Sequence, residues 1–253
     1  MSKQNTPTIQ RTTRINVAGN RVFAYPFTAQ NNYKRAMKKL QSQILPSGED
    51  FSYLLHASYC GPVGFQAQLE SEDLRAKMKS NYFWLAQRNL WVPEKYQSAH
   101  GVFVVDDKNG VGLDKELDVG KLESSLKGGR KLKNGIRFSE DETIGFAPRA
   151  TYSSGEMSSD KFAKDGFMII SNKPQGAKRL AEVASSKHFQ YKPLTWIVGP
   201  TDEPIQTLSA VGGYDGLRLG FDCSYDAGDD DGFASGVLAS GEASQKNKVI
   251  PNL

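Results

Sequence analysis

Apolar residues in this chain come in short runs, and none approaches the roughly 18–20 residues that a membrane-crossing helix requires. Phe51–Tyr59, Gly101–Asp106, Phe167–Ile170, Leu194–Val198 and Leu217–Tyr225 read as strands, with helical patterns between some of them. The chain has 253 residues, of which 38% are hydrophobic and 10% aromatic, enough for a proper core and against wholesale disorder. Strands mixed with helices predict an α+β fold: a mixed or antiparallel sheet with helices on one face. The clearest unit spans 167–198, where Phe167–Ile170, a helix over Gln175–Lys187 and Leu194–Val198 predict a βαβ crossover. Residues 1–20 read as an extended polar and basic arm. Residues 21–238 read as one domain, with a possible subdivision near 95–100, and 239–253 as a flexible or partner-ordered tail.

Two helices are expected in the first third. Over Asn31–Leu45, Tyr33, Met37, Leu40 and Ile44 share one side, while Lys34, Arg35, Lys38 and Lys39 share the opposite side. Over Glu72–Asn89, with Ser71 as N-cap, Leu74, Met78, Tyr82 and Leu85 form the apolar stripe. The neighbouring Tyr82-Phe83-Trp84 and Trp91 fit a core better than a base-stacking platform. Gly120–Gly135 reads as a mobile basic loop. Ile136–Phe138 and Ile144–Ala147 read as strands flanking an acidic turn, and Asn109-Gly110 as a hairpin signal. After Leu217–Tyr225 a further strand is expected at Phe233–Leu238, reached through the Gly- and Asp-rich turn Asp226–Gly232.

Net charge is only +4, but its distribution is uneven. Residues 1–48 carry eight basic side chains and no acid: Lys3, Arg11, Arg14, Arg21, Lys34, Arg35, Lys38 and Lys39. A second cluster holds Lys121, Lys127, Arg130, Lys131, Lys133 and Arg137, while 201–243 carries nine acids against Arg218 alone. Such asymmetry points to an electrostatic partner, either a polyanion or the opposite end of another copy.

Catalytic and metal motifs are scarce. The three histidines His56, His100 and His188 and the cysteines Cys60 and Cys223 form no HExxH and no zinc-ligand spacing. Gly110-Val-Gly112 lacks the third glycine of a dinucleotide fingerprint, and the Asp226–Gly232 turn lacks two carboxylates of a calcium loop. No cofactor and no metal are therefore expected.

Phosphate binding asks only for accessible, clustered Lys and Arg, because neutralising phosphates releases condensed counterions. Arg11, Arg14, Arg21, Lys34, Arg35, Lys38, Lys39, Lys127, Arg130, Lys131 and Lys133 are the expected contacts for RNA or single-stranded DNA. No zinc finger, basic zipper or helix-turn-helix supports duplex readout. The reading is a non-enzymatic structural subunit of an assembly, as in a ribonucleoprotein or virus particle, bound to other subunits or copies of itself and to nucleic acid. The alternatives are a virion or tail protein without nucleic acid, and a small enzyme using His56, Cys60 or His100. No membrane partner is expected. The N-terminus shows no secretory h-region, so a cytoplasmic or virion location is expected.

Overall fold

A computed structural model describes residues 13–40, 43–107, 110–225 and 232–238. The chain begins there with a hairpin, β1 (Thr13–Val17) against β2 (Arg21–Tyr25), turned through Gly19 and Asn20 at positive φ. Ile15 and Phe23 are paired in register, and both are buried in the main core. The last part of the predicted arm is thus a docked strand; residues 1–12 and the predicted tail 239–253 lie outside the described residues.

Helix α1 (Tyr33–Leu40) is shorter than the predicted helix. After it the chain extends, and Ile44 bridges Val237. α2 (Gly48–Cys60) replaces the strand expected over Phe51–Tyr59. Ser47 caps it by accepting from the Asp50 amide, Glu49 and Asp50 suit the positive end of the helix dipole, and Phe51, Leu54, Leu55 and Tyr59 fall on one buried side. α3 (Val63–Gln66) and α4 (Leu69–Ser80) follow. Ser71 is a buried residue within α4 rather than its cap, and the helix expected through Asn89 stops at Ser80.

The rest of that predicted helix is β3 (Tyr82–Val92), the central strand. It is covered on both faces, so its apolar residues run on without alternation. β4 (Gly101–Asp106) pairs with it antiparallel, with the connection 93–100 between them. α5 (Val119–Ser125), capped by Asp118, occupies part of the supposed mobile basic loop, and Leu122 and Leu126 are buried. β5 (Arg137–Phe138) and β6 (Ile144–Pro148) flank the acidic turn as expected.

No βαβ unit forms at 167–198. After β7 (Gly155–Glu156) and α6 (Ser159–Lys164), Phe167–Ile170 opens α7 (Gly166–Ala184). Asp165 explains this: one carboxylate oxygen accepts from the Phe167 and Met168 amides and starts the helix. α7 breaks at Lys173 (φ 58°), just before Pro174. β8 (Leu194–Trp196), β9 (Ile205–Tyr214), β10 (Arg218–Tyr225) and β11 (Gly232–Phe233) complete the fold.

The architecture is α+β. The main sheet has nine strands among the described residues, in the order β5-β6-β4-β3-β9-β10-β8-β7, with β11 added beside β3. It is mixed: β10–β8 and β11–β3 are parallel, and the other pairs are antiparallel. The longer helices α2, α4 and α7, together with α6, form the main core against one face, meeting Phe83, Leu85, Val211 and Phe221. Two short helices lie on the other face: α1 over Trp84, Ala86, Leu208 and Ala210, and α5 over Leu90, Val92, Phe103 and Phe146. No helix among the described residues is long and apolar enough to cross a membrane.

Candidate functional site

Helix α1 carries the most concentrated cationic surface among the described residues. Asn32 Oδ1 accepts from the Arg35 amide at 3.0 Å and fixes the first turn. Tyr33, Ala36 and Leu40 are buried, so the positions between them are turned outward. Lys34, Arg35, Lys38 and Lys39 are all exposed. Lys34 reaches Asp114 at 2.7 Å in an open ion pair, whereas Arg35, Lys38 and Lys39 have no carboxylate partner among the described residues.

A buried network sets the position of this helix. The Tyr33 hydroxyl donates to Asp107 Oδ2 at 2.8 Å, and its ring meets Trp84 edge-on at 5.8 Å. Asp107 also accepts from the Val111 amide at 3.0 Å and the Gly112 amide at 2.7 Å, and it faces Arg88 Nε at 3.6 Å. Burial and the Asp107 charge push the Tyr33 phenol well above its ordinary range, so it stays a donor. Gly110 and Gly112 take positive φ under Met37 and Tyr33, where a side chain would collide with Met37 or press on the Tyr33 ring. None of these positioning residues was among the expected site residues.

The other predicted cations divide into two groups. Arg21 is engaged inside the fold, donating to Asp50 at 2.5 Å with its guanidinium 4.1 Å from the Tyr53 ring centre. Arg130 pairs with Glu142 at 2.7 Å and covers the Phe138 ring. Lys127, Lys131 and Lys133 are exposed without a carboxylate partner among the described residues, at the β5 edge of the sheet. Arg14 is exposed on β1, and Arg11 lies outside the described residues.

Beside α1 the same sheet face is open. Register puts Trp84, Ala210, Asp222 and Trp196 in one row across β3, β9, β10 and β8, so all four project to the same side. Trp84 is buried beneath α1, whereas Trp196 is 50% exposed, about 14 Å away at three strand spacings. Tyr214, 53% exposed, lies beside Gly220 on this side. Tyr191, also exposed, lies under the Arg218 guanidinium, which is itself neutralised by Glu156 and Asp215. Of the expected core aromatics, Phe83, Trp84 and Trp91 are buried, whereas Tyr82 is half-buried. The exposed ones are different residues, on strands whose uncovered face the sequence did not reveal.

The residues of the enzyme reading form no activated nucleophile. His56 Nε2 is 2.6 Å from Glu182 Oε2, and Cys60 lies one turn further along α2. Burial and the Glu182 charge push the Cys60 thiol up, away from the thiolate that a nucleophile needs. Cys223 is fully buried and likewise raised. His100 lines a separate cavity with Trp91 and Arg149. No group of three or more His, Cys, Asp and Glu able to hold a metal occurs among the described residues. The Asp226–Gly232 turn falls almost wholly outside them.

No family model matches the chain, and no curated protein is significantly similar to it. Among solved structures it is similar to one from Nanoarchaeota, described as the accommodation of massive sequence variation by the C-type lectin fold. The match has 14% identity and a TM-score of 0.48, covering 91% of this chain and 99% of that one.

Proposed function

We propose that this protein is a non-enzymatic subunit of a larger assembly that holds single-stranded nucleic acid, RNA or DNA, across the α1 face of its sheet. The observation that carries the reading is the set Arg35, Lys38 and Lys39: exposed, without a carboxylate partner among the described residues, and held on a helix whose other side is locked into the core. Phosphates would lie on these cations and, at the β5 edge, on Lys127, Lys131 and Lys133. Bases would stack on Trp196 and Tyr214, since the nearby Glu156 and Asp222 repel phosphate but not a neutral ring. Other copies would complete the assembly, placing it in a ribonucleoprotein or virus particle, in the cytoplasm or the virion.

The test is fluorescence anisotropy with a labelled oligo(U) or oligo(dT) strand. Binding is expected to fall steeply with salt, with a slope of about 0.7 per phosphate contact on single strands. The triple reversal Arg35→Glu, Lys38→Glu, Lys39→Glu abolishes it while leaving the circular dichroism spectrum unchanged. Unaltered binding in that variant removes α1 as the contact face. Native particles with no absorbance excess at 260 nm, and no strand binding at low salt, leave the purely structural subunit as the reading.

A further inference from the structure

A concavity with an apolar floor lies away from α1, at the ends of β3 and β4 and beside residues 198–202. It has a volume of about 400 Å³, within the range of small-molecule sites. Trp91 and Tyr152 form the floor with ring centres 5.9 Å apart, both nearly buried, and Val92, Pro93, Val198 and Pro200 extend the apolar wall. Trp91 stacks on Phe167 at 5.5 Å and donates its indole N–H to Thr207 Oγ1, and desolvation holds the Tyr152 phenol neutral far above neutral pH.

Polar groups enter this cavity from one direction in particular. Arg149 sits just after β6, with its amide bonded to the His100 carbonyl at 3.2 Å and Nη1 donating to the Tyr152 carbonyl at 3.0 Å. Its guanidinium lies 5.1 Å from the Tyr152 ring centre, within cation–π range. It has no carboxylate partner among the described residues, so most of its N–H donors remain unused. Lys95, by contrast, is tied to Glu203. The His100 ring lines the same cavity and makes no hydrogen bond among the described residues.

We infer that this cavity is a binding site for a small carboxylate with an aromatic or apolar body, the carboxylate taken by Arg149 and the body seated against Val198 and Pro200, beside the edges of Trp91 and Tyr152. A guanidinium without a carboxylate partner matches a carboxylate bidentately, and the bond from Nη1 to the Tyr152 carbonyl holds Arg149 at the cavity. The apolar floor supplies the burial that a bare anion such as phosphate could not use. Glu94 and Asp202 on the rim add a place for an ammonium group, so an amino acid of this class fits as well as a simple acid. This inference does not rest on the nucleic-acid reading.

Isothermal titration of the full chain with phenylacetate, L-phenylalanine and phenylacetamide tests it. The two carboxylates are expected to bind and to change tryptophan fluorescence through Trp91, and the neutral amide to bind at least about tenfold more weakly. Arg149→Gln should weaken carboxylate binding by about tenfold or more, and Arg149→Lys should recover only part of it, because the charge returns without the fork. Val198→Phe, which fills space without changing charge, should abolish binding of all three probes. Equal binding of amide and acid, or carboxylate binding unchanged in Arg149→Gln, overturns the inference. So does the absence of any heat or fluorescence change at millimolar probe with a folded protein.

Discussion

Removing the Asp107 carboxylate should cost more stability than any single exposed charge in this protein. Its side chain is only 2% exposed, and it accepts from the Tyr33 hydroxyl and from two backbone amides while facing Arg88 at 3.6 Å. In Asp107→Ala the Arg88 guanidinium, 10% exposed, keeps its charge with only the Lys115 carbonyl bonded to it. Breaking one side of such a buried pair costs about 3–5 kcal/mol. The freed donors are part of that figure rather than additional to it, since the network acts as a unit. A domain of ordinary stability, about 5–15 kcal/mol, would lose roughly a fifth or more. Tyr33→Phe removes one hydrogen bond to a charged acceptor and should cost about 1.5–3 kcal/mol. Urea unfolding followed by tryptophan fluorescence measures both, and the double variant should show a coupling above about 0.5 kcal/mol. A loss below about 1 kcal/mol in Asp107→Ala would mean that α1 is not anchored through this carboxylate.

Asp165 predicts a pH dependence. Desolvation pushes its carboxyl up to about 6, against about 3.9 for a free aspartate. A raised acid binds its proton more tightly when folded, so its contribution is fully present below about pH 4 and lost as the pH rises through 6. The integrated effect is roughly 3 kcal/mol. Asp165→Asn keeps an acceptor for the α7 amides, so its stability relative to wild type should rise between pH 4 and 7; a flat difference contradicts the assigned cause. The two tryptophans of one sheet row should separate: Trp84→Ala costs about 3–5 kcal/mol, while Trp196→Ala shifts stability by only about 0.5 kcal/mol. Equal losses in urea melts would contradict the exposure of Trp196. Both cysteines should react slowly with a disulfide reagent at pH 7.5, and Glu182→Gln should speed Cys60; a fast, low-pKa Cys60 would reopen the enzyme reading.

How much of this was legible in the sequence depends on whether an element has one buried side or two. The amphipathic character of α1 shows plainly in the spacing of Tyr33, Leu40 and the four cations, because only one side is buried. α2 carried equally good signals, with Ser47 ahead of Glu49 and Asp50 and a helical spacing of Phe51, Leu54, Leu55 and Tyr59, but its apolar density imitated a strand. β3 failed in the opposite direction: covered on both faces, it shows no period-two alternation to distinguish it from a helix. Phe167–Ile170 was too short for periodicity to decide, and Asp165 as a cap decides it. The Asp107 network was out of reach, because Tyr33 meets it across 74 residues and nothing local marks the pair.

The same reasoning explains why the open aromatic strip exists. A helix with its side chains is about 10–12 Å across, roughly two strand spacings, so one short helix can roof only two strands. α1 covers β3 and β9 through Trp84, Ala86, Leu208 and Ala210. Tyr225 at the end of β10 still packs against Trp84, but the rest of β10, β8 and the far end of β9 lie beyond the helix; the floor there is kept low by Gly220, while Trp196 of β8 and Tyr214 of β9 stand out from it. On the opposite face four helices span the same strands, and the corresponding residues Val211 and Phe221 are buried. Exposure of Trp196 is therefore set by the width of the roof and not by the strand that carries it. Shifting α1 toward β10 would carry its cations along and cover the aromatics, which makes the position set at Asp107 a determinant of both halves of the proposed surface.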